Sequence, residues 1–275
     1  MAFQPINDDH AIQSAGIGIT LNKPLSWSSV ESILKSPLDW RRELPAIELT
    51  QVIEVQINPQ TGAPVNRLTR GVEFSHKRPD GSASWQLNVL GPEIKVATTI
   101  YTRWDATWAK AGDILFGVAG HLAMLEKDKQ ISVTAVSFAV ADVFSTVDAE
   151  PNFSELFAAN DRIPLAVLRQ GKLWHSHTGW FATRPTGNVL NQLNIEARTG
   201  ADESSIPGVP DDRIRVIIQH NQVYRPGVPI PFDPTHENEL QDVMRSEIPL
   251  LHEANKSILK ELLTSSMQAR IKVSG

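Results

Sequence analysis

No cysteine occurs anywhere in the chain, which excludes disulfides, thiol nucleophiles, thiolate zinc sites and iron–sulfur clusters together. That absence fits a reducing, cytoplasmic setting. Long apolar runs are missing as well. Nothing approaches the roughly 18 to 20 residues that a bilayer span requires, so no membrane association is expected. The opening MAFQPINDDH has neither the basic nor the apolar region of a secretory signal. The glycine patterns of nucleotide chemistry are absent: AGIGIT (15–20) has two glycines but does not lead from a strand into a helix. No GxSxG elbow is present. HEANK (252–256) resembles the start of a zinc-protease motif, but Lys256 stands where the second histidine must be. No cofactor is therefore expected. Positive charge is also scarce. The net charge is −5, and the basic residues are scattered through WRRE (40–43), RLTR (67–70) and HKR (76–78), which weighs against a grip on phosphate backbones.

What is present is the composition of a soluble globular chain, 41% hydrophobic and 21% charged over 275 residues. AIQSAGIGITL (11–21) alternates and reads as a strand. LSWSSVESILK places a serine cap before Val30, Ile33 and Leu34 at helical spacing, and Pro37 and Pro45 keep that helix short. IELTQVIEVQI (47–57) alternates up to the turn signal NPQTG. GVEFSHK and SASWQLNVLG flank RPDG as a hairpin, with Ala83, Trp85, Leu87 and Val89 sharing one face. EIKVATTIYTR continues the meander with Ile94, Val96 and Ile100 together. From Trp104 the period turns helical through Trp108, Ala111, Leu115, Val118 and Leu122, with Thr102 or Arg103 near the cap. The second part repeats the order. QISVTAVSFAVADVF is a strand, NFSELFAAN a short helix, and KLWHSHTGWFATR, NVLNQLNIEAR and RIRVIIQHNQVYR are three more strands. A long helical tail follows through Leu240, Met244, Ile248, Leu251, Leu259 and Leu262, and Pro249 predicts that Ser246 caps a fresh helix there.

The fold class is α+β, read as tandem-duplicated β-α-β-meander-α units, 1–128 and 129–275, integrated as one unit. Two tyrosines, Tyr101 and Tyr224, are the only ones in the chain, and both are closely followed by arginine near the end of a meander. The element order resembles the duplicated saddle of TATA-binding-protein-like folds, which implies a curved antiparallel sheet backed by long helices, with one sheet face under them and the other open to a partner. Two stretches, YTRWDATWAKAGDIL and LLHEANKSILKELLTSSMQARI, resemble a sporadically distributed family of uncharacterised bacterial proteins of comparable length, whose chains also open on a short Pro-containing segment such as FQPINDDHAI. The chain departs from that family's pattern in ISVTAVSFAV, which lacks its arginines. The resemblance implies a bacterial protein of the kind found around mobile elements and defence loci, and brings no activity with it.

The most suggestive stretch is LWHSHTGWFATR (173–184). On a strand, His175, His177 and Gly179 project to one face, and Trp174, Ser176, Thr178 and Trp180 to the other. Two histidines at i and i+2 can share a metal, with His220 of IIQHNQ as a third ligand if its strand joins the same sheet. The competing reading makes these residues the polar face of a half-buried strand, with both tryptophans packed under helices, and it is preferred. INDDHAI (Asp8, Asp9, His10) and Asp211–Asp212 read as turn residues. Three functions follow in order of support. The first is a non-enzymatic interaction protein that binds another protein or itself, in bacterial defence or toxin neutralisation. The second is nucleic-acid binding through the concave sheet, which requires Arg67, Arg70, Lys77 and Arg103 to converge. The third is a metal-dependent hydrolase built on His175, His177 and His220.

Overall fold

The computed structural model describes residues 3–7, 10–36, 38–57, 64–126, 130–200 and 213–273, with backbone alone over 54–57 and 64–67. In chain order the elements are β1 (Gln4–Pro5), β2 (Ile12–Leu21), α1 (Trp27–Lys35), β3 (Ala46–Ile57), β4 (Pro64–Lys77), β5 (Ala83–Leu90), β6 (Glu93–Thr98), α2 (Trp104–Glu126), β7 (Ser132–Thr146), α3 (Leu165–Leu168), β8 (Trp174–Arg184), β9 (Gly187–Thr199), β10 (Ile214–Pro226), β11 (Ile230–Pro231), α4 (Glu237–Leu262) and α5 (Ser265–Arg270). Short 3-10 turns lie at Asp39–Arg42, Phe153–Glu155 and Pro234–His236. The class is α+β, with a large, open antiparallel sheet. Its strand order is β3-β4-β5-β6-β2-β7-β10-β9-β8, and β1 and β11 both pair with β7. No helix among the described residues is long and apolar enough to cross a membrane. The proposed boundary at 128–129, Pro37, the NPQTG turn and the aspartates at 8, 9, 211 and 212 lie outside the described residues.

Two compact units interleave along the chain. One comprises residues 16–137 and 224–246. Its core forms because alternate strand residues are apolar: Ile17, Ile19, Val72, Phe74, Leu87, Val89, Ile94 and Val96 are all buried. Helical aromatics close over them, with the Trp40 ring edge-on to Phe74 at 5.1 Å. Helix α1 is capped twice. The Ser26 hydroxyl accepts from the Ser29 N–H at 3.3 Å, and Ser26 donates through its N–H and its hydroxyl to Glu126 of α2, at 3.1 and 2.7 Å. A carboxylate at a helix N-terminus also meets the positive end of the dipole. The opposite strand face carries Glu73, Gln86, Asn88 and Lys95, and the Gln86 amide donates to Glu73 at 3.3 Å.

The second unit comprises residues 1–15, 138–223 and 247–275. Its core gathers Phe3, Phe144, Phe153, Phe157, Trp174, Leu193, Ile195, Val216 and Ile218 with Ile258, Leu259 and Leu262 of α4 and Met267 of α5.

Two expectations are corrected. Ile100 does not continue the meander: β6 ends at Thr98, whose hydroxyl donates to Ser84 O at 2.8 Å and accepts from the Ile100 N–H at 3.0 Å. That turn ejects Ile100, which is 44% exposed. Ser246 does not begin a new helix either. Helix α4 runs unbroken from Glu237 to Leu262 with Pro249 inside it, and Ser246 instead turns its hydroxyl back onto Val243 O at 2.9 Å. The buried stripe Leu240, Met244, Ile248, Leu251 and Leu259 outweighs the one hydrogen bond that proline removes. The tyrosines also differ in setting: Tyr224 is buried within β10, whereas Tyr101 is half-buried and lies beyond β6.

Candidate functional site

Strand β8 alternates as the sequence predicts. Its odd-numbered residues His175, His177, Gly179, Phe181 and Thr183 are exposed, and from Trp174 to Trp180 the even-numbered ones are buried or half-buried. It pairs along its whole length with β9, setting His175 against Glu196, His177 against Asn194 and Trp180 against Asn191. Trp174 joins the core, edge-on to Phe153 at 5.3 Å and to Phe157 at 6.1 Å. Trp180 makes two close contacts through its ring. The Arg162 guanidinium carbon lies 4.3 Å from its ring centre, and the His220 ring stacks on it at 5.8 Å and 22°. Arg162 in turn donates to Glu261 at 2.9 Å.

His220 is therefore on the Trp180 face and not beside His175 and His177. It is 1% exposed. Its Nδ1 lies 3.1 Å from the Asn255 side-chain oxygen and its Nε2 lies 3.2 Å from that of Asn191. Burial pulls its pKa down to about 4, with the Asn255 hydrogen bond opposing and the Arg162 charge assisting. With its pKa lowered, the neutral ring carries one N–H and donates to one of these amides, so the amide facing the other nitrogen must offer its NH2 group. On the other face the His175 and His177 rings meet edge-on at 5.3 Å, and the His177 Nδ1–H donates to Asn194 at 2.6 Å. Among the described residues no group of three histidine, aspartate or glutamate side chains is arranged to hold a metal.

Nor are the basic candidates brought together. Arg70 lies over the Trp27 ring of α1 at 5.9 Å, while Lys77 is ion-paired with Glu48, the register neighbour of Glu73 on the opposite face of the strands. Arg103 is exposed just before α2. Arg67 lies on β4 at the register position opposite Glu54. In HEANK, His252 packs edge-on to Phe138 at 6.1 Å, and Glu253 accepts from Lys256 at 3.1 Å; this is ordinary helix chemistry. The Asn7 N–H donates to His10 O at 3.3 Å.

Sequence reasoning missed Asp142. It is 1% exposed on β7, and neither carboxylate oxygen has a hydrogen-bond partner among the described residues. Burial pushes its pKa up to about 7. The signal was available, since Asp142 is the one charge in the apolar run SVTAVSFAVADVF. No signal pointed to Asn191 and Asn255, which are recognised only once three separate elements converge on His220. No family model, curated protein or solved structure matches the chain.

Proposed function

We propose that the protein is a non-enzymatic interaction module that binds another protein or a second copy of itself. The supporting observation is that the two terminal strands of the open sheet expose apolar side chains: Leu49 at 61% and Ile53 at 65% on β3, and Phe181 at 67% on β8. An uncovered strand edge bearing apolar groups is a template for another chain. The candidate histidines divide between two faces, which leaves the hydrolase reading with a pair of ligands. Trp27 and Glu48 occupy Arg70 and Lys77, which weakens the nucleic-acid reading. The bacterial defence or toxin-neutralising setting rests on the family resemblance, the cytoplasmic location on the composition, and the internal duplication on the repeated element order and the two tyrosines. Affinity purification from the native host with mass spectrometry tests the reading. The expected result is a stoichiometric companion or a homo-oligomer; recovery of the protein alone as a monomer would overturn it.

A further inference from the structure

The geometry points to β8 as a self-pairing edge: two copies of this chain join antiparallel about Gly179. This deepens the interaction reading above and rests on it. The two-residue turn at Pro185–Thr186 closes on the pair Arg184–Gly187, which in such hairpins is the hydrogen-bonded pair. Alternation then turns the even-numbered backbone groups of β8 toward β9 and the odd-numbered ones, at His175, His177, Gly179, Phe181 and Thr183, outward. Strand β8 ends the sheet order; apart from its pairing with β9, no backbone hydrogen bond from a described segment reaches it, and α3 meets it by packing alone.

Natural edges are usually guarded by lysine, proline, inward charge or shortness. Over its 11 residues β8 has no lysine, acid or proline. Its one permanent charge, Arg184, is held by Glu247. The other terminal strand, β3, does carry a guard, the exposed Glu48–Lys77 pair. A second copy is the occupant that fits, because the strand is nearly neutral and its outward positions are symmetric about Gly179. Only that centre uses all five outward residues. It sets His177 against Phe181 of the second copy, and His175 against Thr183, with no like charges opposed. The exposed Phe181 ring gains an aromatic cross-strand neighbour on each side of the axis.

The test is sedimentation equilibrium of the purified chain together with three variants. The wild type is expected to form a dimer at micromolar concentration. Gly179→Lys sets two ammonium groups against each other at the axis and should weaken the dimer about tenfold or more. The monomer tolerates a side chain there, since a Cβ would lie 3.4 Å from Asn191 O. Phe181→Lys, at an already exposed position, gives the same result should the first variant not fold. The native chain has no cysteine, so His177→Cys combined with Phe181→Cys reports the register. Cα atoms of a hydrogen-bonded pair are about 5.5 Å apart, within disulfide range, whereas 177 and 181 within one strand are about 13 Å apart. Mild oxidation should cross-link the double variant and not Phe181→Cys alone. A monomeric wild type, a dimer indifferent to both lysines, or equal cross-linking of the single and double variants would overturn the pairing. A monomeric purified chain that still captures a different protein would overturn the pairing alone and leave the interaction reading standing.

Discussion

His220 and Asp142 titrate in opposite senses, and together they shape how stability depends on pH. Burial lowers the His220 pKa from 6.5 to about 4. Its contribution is therefore complete above about pH 6.5 and is lost as the pH falls toward 4, because only the unfolded chain then takes up the proton. The full span is about 3 kcal/mol at 1.36 kcal/mol per pKa unit. Burial raises the Asp142 pKa from 3.8 to about 7. Its neutral form is accommodated below about pH 4, and stability is lost as the pH rises to 7, by about 4 kcal/mol on the same scale. Between pH 4 and 6.5 the two slopes offset each other. Urea denaturation across that window should give a nearly flat midpoint for the wild type. Asp142→Asn should leave a midpoint that climbs with pH, and His220→Gln one that falls. Parallel profiles for the two variants would refute the assignment.

At the scale of elements, Pro249 separates the two views of the C-terminal helix. In the unbroken α4, Pro249 leaves Arg245 O without its helical donor, so Pro249→Ala should raise stability by about 1 to 3 kcal/mol in thermal denaturation. Had Ser246 capped a new helix, Pro249 would be welcome in the first turn and the change would be neutral or harmful. The same element shows what a sequence conveys. Period-2 and helical spacing reveal where strands and helices lie, because burial of one face acts on nearby residues. They do not reveal how strongly a helix is held by distant partners, so a local rule about proline lost to the apolar stripe beneath α4. The site was legible to the same extent. The division of β8 into a histidine face and a tryptophan face follows from alternation alone. That His220 belongs to the tryptophan face depends on Asn191 and Asn255, and on a register that no local pattern encodes. Asp142 was readable and overlooked, since a lone acid in an apolar strand is itself the anomaly.

At the scale of the molecule, the interleaved units make the cut at 128–129 a demanding test. Each unit draws residues from both sides of it: 224–246 for one, 1–15 for the other. Fragments 1–128 and 129–275 expressed separately should be unfolded or aggregated by circular dichroism and gel filtration, and co-expression should restore a folded complex. Two independently folded fragments would show that the halves stand by themselves.

The interleaving also bears on synthesis. Phe3 and Ala11, wholly buried beside Phe144, Phe153 and Ile258, emerge from the ribosome long before the neighbours that shelter them. The nascent chain must carry these greasy side chains unsatisfied until Ile258 has been made, so a chaperone that recognises short apolar segments would find its target around Phe3 and Ala11.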